Sequence, residues 1–232
     1  MSEQVRLQKF IANSGYCSRR KAEELILDNK VRVNDETASL GTKIDPEKDM
    51  VYVNGQKISL EEKTVYIMLN KPPGFVSSCS HKGKKTIIDL IDVKERIYPV
   101  GRLDMYSRGL ILLTNDGELH NRLSHPSYDH EKEYLVKTNI PLTDEEIKLL
   151  SNGVVIDKRK TRKVSIKRKK NEYLSFTLKE GRNRQIRKMV ETLNKKVVDL
   201  IRIRMSEIYL GNLKEGKWRY LSSDETKKLT KK

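Results

Sequence analysis

The first sixty residues carry two helical patterns followed by strand alternation. Apolar residues spaced three and four apart predict a helix over Arg6–Ser14 and a second over Ser18–Asn29, which Ser18 would cap. Val31–Asn34 and Val51–Gln56 alternate apolar with polar residues, and an Asn-Gly pair in the second indicates a turn. Two helices followed by short strands predict a compact αβ module.

Beyond a charged stretch near residues 60–63, interpreted as a linker, short strands dominate. Val65–Leu69 predicts a buried strand that Pro72 and Pro73 terminate. Further strands are predicted at Gly109–Thr114, Glu133–Thr138, Val164–Lys167, Leu174–Leu178 and Leu200–Ile208, with helices at Gly117–Leu123, Thr143–Ser151 and Asn183–Leu193. This pattern predicts an α+β fold with a mostly antiparallel sheet, in two domains spanning residues 1–60 and 63–232.

The charge of the chain points to a polyanionic partner, because the formal net charge is +16. Residues 1–62 hold ten Lys or Arg against eleven Asp or Glu, so the excess lies in the rest of the chain. The densest stretch, Lys158–Lys170, has nine basic residues and no acidic one. Phosphate contact is the favoured interpretation, since like charges repel unless a polyanion neutralises them. The alternative is a solvated hairpin that aids solubility.

Several classes of protein are disfavoured by what the sequence lacks. No apolar stretch approaches the roughly 20 residues of a membrane-spanning helix, and the first residues do not resemble a secretory signal. Two cysteines and four histidines show no disulfide framework or zinc-ligand spacing. Clustered carboxylates and a glycine-rich nucleotide loop are also missing, which disfavours a nuclease or a methyltransferase. We expect a cytoplasmic, soluble monomer without metal or small-molecule cofactor.

One aspartate lies in an unusual context. Gly101-Arg102-Leu103-Asp104 is followed by Ser107 and by the apolar run Gly109–Thr114. Asp104 is therefore expected on an irregular segment leading into a buried strand, where a rigid scaffold can present it to a cleft. The alternative is that Asp104 caps a turn and pairs with Arg102.

This segment resembles the aspartate motif of the RNA pseudouridine synthases, in the branch that modifies ribosomal RNA. Asn70–Gly74 resembles the opening loop of that family, Glu131–Tyr134 the segment with the active-site tyrosine, and Glu180–Met189 the arginine motif. Arg6–Ile11 and Cys17–Glu23 resemble the small αL RNA-binding domain of a ribosomal protein. The resemblance covers almost the whole chain.

The resemblance implies both the reaction and its residues. Isomerising uridine to pseudouridine breaks the N1–C1′ bond, turns the base and joins C5 to C1′, so a carboxylate can attack C1′ or stabilise positive charge there. Asp104 would take this role, Arg187 would hold it through two bonds, and Tyr134 would stack on the base. The expected substrate-binding residues are Arg102, which would hold the flipped nucleotide, Ile186 in the uracil pocket, Lys132, and Arg19, Arg20 and Lys21 at the start of the second helix.

Simpler roles remain open for some of these residues. Core packing would also explain Tyr134 and Ile186, and a solvated helix start would explain the three basic residues from 19 to 21. Two positions depart from the family pattern. Ser107 replaces the usual threonine and keeps its hydroxyl, while Arg108 is expected to add charge beside the cleft.

The favoured function is isomerisation of one specific uridine in large-subunit ribosomal RNA. His130–Val136 and Arg202–Met205 look most like the RluF type of enzyme. Small-subunit RNA, as in the RsuA type, is the alternative substrate. A non-catalytic ribosome-assembly protein is the other alternative, although a pure RNA binder has no use for an aspartate facing phosphates.

Overall fold

The computed structural model describes residues 4–60, 63–124 and 128–230. Two residues of the predicted linker, Glu61 and Glu62, lie outside these ranges. No helix within them is long and apolar enough to cross a membrane. The chain divides into two compact units, the first comprising Met1–Val65, Val93–Arg96 and Asn115–Gly117, and the second Tyr66–Asp92, Ile97–Thr114 and Glu118–Lys232. The domain limits 1–60 and 63–232 remain a prediction.

The first unit packs two helices with small antiparallel sheets around one apolar core. A four-stranded sheet has the strand order Glu36–Thr37, Val31–Val33, Val51–Val53 and Gln56–Ile58, and Val5–Arg6 pairs with Lys43–Ile44. The core includes Leu7, Phe10 and Ile11 from the first helix and Ala22 and Ile26 from the second, as their spacing predicts. The elements are β1 Val5–Arg6, α1 Leu7–Asn13, α2 Arg19–Leu27, β2 Val31–Val33, β3 Glu36–Thr37, β4 Lys43–Ile44, β5 Val51–Val53 and β6 Gln56–Ile58.

Both predicted helices of this unit are confirmed with slightly shorter limits. The Ser18 hydroxyl caps α2 by accepting the backbone N–H of Lys21 at 3.2 Å. The helix ends before Asn29, whose φ of 55° places it in the left-handed region.

The second unit is built on a nine-stranded sheet whose central strands are, in order, Ser165–Arg168, Leu174–Leu178, Lys132–Thr138, Val197–Met205, Arg108–Thr114, Tyr66–Lys71 and Trp218–Tyr220. Within the described residues, the strands Arg108–Thr114 and Val197–Met205 and an isolated bridge between Val76 and Thr86 pair in parallel, and every other strand pair is antiparallel. The prediction of a mostly antiparallel α+β domain is therefore confirmed. The elements are β7 Tyr66–Lys71, a 3₁₀ turn Ile87–Leu90, β8 Tyr98–Val100, β9 Arg108–Thr114, α3 Gly117–Ser124, β10 Lys132–Thr138, α4 Asp144–Ser151, β11 Val155–Ile156, β12 Arg159–Lys160, β13 Ser165–Arg168, β14 Leu174–Leu178, α5 Gln185–Glu191, β15 Val197–Met205, β16 Ile208–Tyr209, β17 Trp218–Tyr220 and α6 Ser223–Thr230.

One prediction about strands in this unit was wrong. The strand expected over Leu200–Ile208 is two strands, because Ser206 takes a φ of 52° and the chain reverses there to pair β15 with β16. The basic stretch Lys158–Lys170, for which a solvated hairpin was the alternative interpretation, contributes strands to two different pairs. Its strand β12 pairs with β11, whereas β13 pairs with β14.

Gly109 is required where β9 runs beside β15. Its φ is 103°, and a Cβ there would lie 2.3 Å from the carbonyl oxygen of Arg202. No other residue type fits so close to a backbone in that conformation. Gly109 therefore lets the strand that follows Asp104 join the centre of the sheet.

Candidate active site

Asp104 lies on the irregular segment between β8 and β9, as the sequence predicts, and a buried lysine holds the backbone after it. The Lys71 Nζ, at the end of β7, donates to the carbonyl oxygens of Pro72, Met105 and Ser107 at 3.0, 3.0 and 2.8 Å. Three acceptors match the three N–H donors of an ammonium group. Burial lowers the pKa of Lys71 to about 8, and the charge of Asp104 opposes that shift.

Hydrogen bonds also fix the backbone at and before Asp104. The Ser77 hydroxyl donates to the Leu103 carbonyl at 2.9 Å and accepts the Leu103 N–H at 3.1 Å. The Ser107 N–H donates to the Asp104 carbonyl at 3.0 Å, which closes a turn around residues 104–107. The aspartate is thus held on a rigid loop.

Two arginines approach the Asp104 carboxylate, whose side chain is 30% exposed. Its Oδ2 lies 3.9 Å from Arg187 Nε and 4.0 Å from Arg184 Nη1. The expected two-bond pairing with Arg187 is absent, because Nη1 donates to the Val197 carbonyl at 3.0 Å and Nη2 to the Ser107 hydroxyl at 3.4 Å. Only Nε remains to face the carboxylate. Burial and the nearby charge of Arg184 lower the pKa of Arg187, although Asp104 opposes this shift.

Asp104 opens onto a cleft of about 70 Å³ with a partly apolar lining. Tyr134, half-buried on β10 opposite Phe176, forms one wall. Ile186, only 4% exposed, belongs to both the apolar core and the lining. The lining residues are Arg102, Leu103, Asp104, Ser107, Tyr134, Leu178, Glu180, Gly181, Arg182, Arg184, Gln185, Ile186 and Leu200.

The other candidate binding residues lie in three places. Arg102 is exposed at the cleft and makes no hydrogen bond or ion pair with any described residue. Lys132 lines an adjoining cavity. In the first unit, Arg19, Arg20 and Lys21 are exposed at the start of α2, and Lys21 forms an ion pair with Glu24 at 2.8 Å.

The expectation that Arg108 adds free charge beside the cleft was wrong. Its Nε and Nη2 donate to the two carboxylate oxygens of Asp199 at 3.0 and 2.7 Å, and Nη1 lies 3.3 Å from Glu215. The Tyr173 hydroxyl also donates to Asp199 at 2.7 Å. This network neutralises Arg108 and ties β9 to β15.

Sequence reasoning did not single out Lys71, Arg184 or Arg202 as parts of this region. A lysine at the end of an apolar strand, as at Lys71, is a usable signal because a buried ammonium requires acceptors. Arg202 gives no such signal, since basic and apolar residues alternate along its strand. Its burial depends on its pairing in the sheet.

The cleft combines features suited to one kind of chemistry. A fixed carboxylate can attack or stabilise an electron-poor carbon, and neighbouring guanidinium groups compensate its charge. An aromatic ring and aliphatic side chains provide a stacking surface for a planar base. Among the described residues, no group of three His, Cys, Asp or Glu side chains is placed to hold a metal ion.

Comparisons with known proteins show the family of the chain. The family model described as RNA pseudouridylate synthase matches residues 65–192, and the S4 domain model matches residues 5–51. The chain belongs to the RNA pseudouridylate synthase family, and it is an enzyme that isomerises uridine to pseudouridine in RNA. The S4 match confirms the expected N-terminal RNA-binding domain of ribosomal-protein type.

Particular relatives match most of the chain. The dual-specificity RNA pseudouridine synthase RluF of Escherichia coli K12 is 42% identical over 95% of this chain and 77% of its own length. The ribosomal large subunit pseudouridine synthase B of Bacillus subtilis is 40% identical over 97% of this chain and 95% of its own. A crystal structure of a pseudouridylate synthase is 32% identical, with a TM-score of 0.72 over 97% of this chain and 100% of the other.

Proposed function

We propose that this enzyme isomerises a specific uridine of large-subunit ribosomal RNA. The observation that carries the proposal is the match to the Bacillus subtilis enzyme, whose name specifies the large ribosomal subunit and which aligns over nearly its full length. The similarity to a dual-specificity RNA enzyme leaves room for a second RNA substrate. Small-subunit RNA is the alternative that the experiment must separate.

Asp104 is the proposed group at ribose C1′. Its carboxylate faces the cleft on a loop that Lys71 and Ser77 hold in place. As the N1–C1′ bond breaks, C1′ becomes electron-poor, and Asp104 either bonds to it or stabilises its positive charge. Arg187 and Arg184 compensate the carboxylate charge at 3.9 and 4.0 Å. Arg187 also positions Asp104, because its Nη2 donates to the Ser107 hydroxyl on the same loop while its Nη1 donates to the Val197 carbonyl.

Tyr134 is the proposed stacking partner for the uracil ring. A uridine must leave its helical stack before a protein group can reach its C1′ atom, and this extrusion costs a few kcal/mol. Stacking on an aromatic side chain returns about 1–3 kcal/mol, so Tyr134 can offset much of that cost. Ile186 would contact the base from the apolar side of the cleft, and exposed Arg102 would hold the extruded nucleotide.

RNA contacts outside the cleft are assigned to two basic regions. Lys132 lies in the cavity next to the cleft, and Arg19, Arg20 and Lys21 lie at the exposed start of α2 in the S4 domain. Basic side chains at such positions contribute phosphate contacts that position RNA without reading its sequence. We assign the contacts of Arg19, Arg20 and Lys21 to a domain of residues 1–60, and catalysis together with the Lys132 contact to a domain of residues 63–232.

The test is to incubate the purified chain separately with unmodified large-subunit and small-subunit ribosomal RNA, with a chelator and no cofactor. Pseudouridine is then mapped at nucleotide resolution. We expect modification at one or a few positions of the large-subunit RNA. Modification confined to small-subunit RNA would support the alternative, and dependence on an added metal or cofactor would contradict the proposed chemistry. Light scattering of the active protein tests whether it is a monomer.

A further inference from the structure

A second cavity adjoins the cleft of Asp104 in the same unit. It encloses about 160 Å³ and shares with the cleft Arg102, Tyr134 and residues 180–182. Tyr134 therefore lies between the cleft proposed to hold the base and this second cavity. The residues that line the cavity are Gly101, Arg102, Leu123, Ser124, His130, Lys132, Tyr134, Lys179, Glu180, Gly181, Arg182 and Arg202.

Three buried polar atoms in the lining lack hydrogen-bond partners among the residues that the structure describes. They are Arg202 Nη2, Ser124 Oγ and His130 Nε2. Arg202 is only 1% exposed, and its Nε donates to the Leu110 carbonyl at 2.6 Å, so the guanidinium is fixed in place. Buried polar groups are normally paired, because an unpaired one loses its hydrogen bonds to water without replacement. Three such atoms around one cavity make it a candidate site for a hydrogen-bonding ligand.

The charge of the lining specifies the sign of that ligand. Arg102, Lys132, Lys179 and Arg202 form no ion pair with any described carboxylate, whereas Arg182 lies 3.3 Å from Glu180. Burial, and secondly the charge of Arg202, lowers the pKa of Lys132. Arg102 and Lys179 are exposed, but Arg202 is buried and Lys132 is half-buried, and a cation withdrawn from water without a counter-charge is unfavourable. An anion in the cavity would therefore stabilise this arrangement.

We propose that this cavity binds one phosphodiester group of the RNA, at a linkage flanking the target uridine. This inference rests on the proposed function, because it places the base on the other side of Tyr134. A phosphodiester offers oxygen acceptors to the Arg202 guanidinium and the Ser124 hydroxyl. Binding the phosphate would hold the backbone while the base occupies the cleft.

The direct test couples one RNA phosphate to one arginine. RNA substrates carry a single neutral methylphosphonate at each linkage near the target uridine, and the affinity of each is measured for the wild-type enzyme and for Arg202→Gln. At one flanking linkage, neutralisation should weaken wild-type binding about tenfold or more, as expected for a charge-assisted contact. The same change should have little further effect in Arg202→Gln.

Arg204→Gln is the matched control, because Arg204 lies on the same strand but is paired with Glu131 and Glu133 at 2.9 and 3.1 Å. Its effect should add to that of every methylphosphonate. Since Arg202 is buried, the fold of each variant is checked by circular dichroism. Ser124→Ala and Lys132→Gln provide milder substitutions that should show coupling at the same linkage. Independent effects at every linkage in all three cavity variants would overturn the proposal.

Inorganic phosphate separates the RNA backbone from a free anion as the source of the ligand. At matched ionic strength, phosphate should raise the melting temperature of the wild-type enzyme more than chloride does, and this difference should shrink in Lys132→Gln. Stabilisation by phosphate without coupling to any RNA linkage would overturn the assignment to RNA. Absence of both effects would overturn the anion site. The phosphate measurement does not require turnover, so it remains decisive even if no pseudouridine forms and the proposed function fails.

Discussion

Replacing Gly109 with alanine should destabilise the catalytic unit more than alanine at another glycine with positive φ. An ordinary side chain in left-handed backbone costs about 1–2 kcal/mol. At Gly109 the new Cβ would also lie 2.3 Å from the Arg202 carbonyl oxygen and 2.7 Å from its nitrogen, which forces β9 and β15 apart. Overpacking of that kind adds about 1–3 kcal/mol, so we expect a total loss of about 2–5 kcal/mol.

Gly216 provides the matched comparison, because its φ is 76° and a Cβ there would meet nothing within 4 Å. Gly216→Ala should therefore cost about 1–2 kcal/mol. Urea unfolding followed by the fluorescence of Trp218, the only tryptophan in the chain, reports on the catalytic unit, since β17 pairs with β7. If Gly109→Ala lost no more stability than Gly216→Ala, the close approach of β9 and β15 would be refuted.

Three further predictions concern the loop, the domains and the basic strands. Lys71→Met should lower the rate at saturating RNA by about ten- to a hundredfold with little change in affinity, because Met cannot hydrogen-bond the carbonyls of Met105 and Ser107. Lys214→Met, at an exposed lysine, should leave the rate unchanged, and equal rates for the two variants would contradict the role of Lys71. Residues 63–232 should unfold cooperatively when expressed alone but bind ribosomal RNA more weakly than the full chain, and a non-cooperative transition would contradict the boundary. A variant with Gln at Lys163, Lys167, Lys169 and Lys170 should reduce the slope of log affinity against log salt by about 0.7–0.9 per lost contact. Arg168 is left in place because it is paired with Asp144. An unchanged slope would favour a solubilising role.

Local periodicity was sufficient to predict most of the elements around the site. The strands containing Leu110 and Tyr134 and the helix containing Ile186 follow apolar spacing that is visible within a few residues. The irregular segment of Asp104 was predictable for the same reason, because its polar residues interrupt two apolar stretches. These features depend on neighbours in the sequence.

The contacts that decide the electrostatics of the site are long-range and were not predictable in this way. Arg108 meets Asp199 and Glu215 only because β9 lies beside β15 and near the segment before β17. The terminal nitrogens of Arg187 donate to the Val197 carbonyl and the Ser107 hydroxyl, and no residue spacing in the sequence indicates these contacts. A family motif can associate an arginine with an aspartate, but the number of bonds between them depends on what else surrounds the guanidinium.

The most direct test of the central claim is the turnover of Asp104→Asn on large-subunit ribosomal RNA. The amide keeps the shape of the side chain but loses the charge and nucleophilicity required at C1′. We predict no pseudouridine above background, with RNA affinity within about twofold of wild type because phosphate contacts dominate binding. Asp224→Asn, at an exposed aspartate of α6, should retain full activity. Wild-type turnover by Asp104→Asn would show that this carboxylate is not the catalytic group.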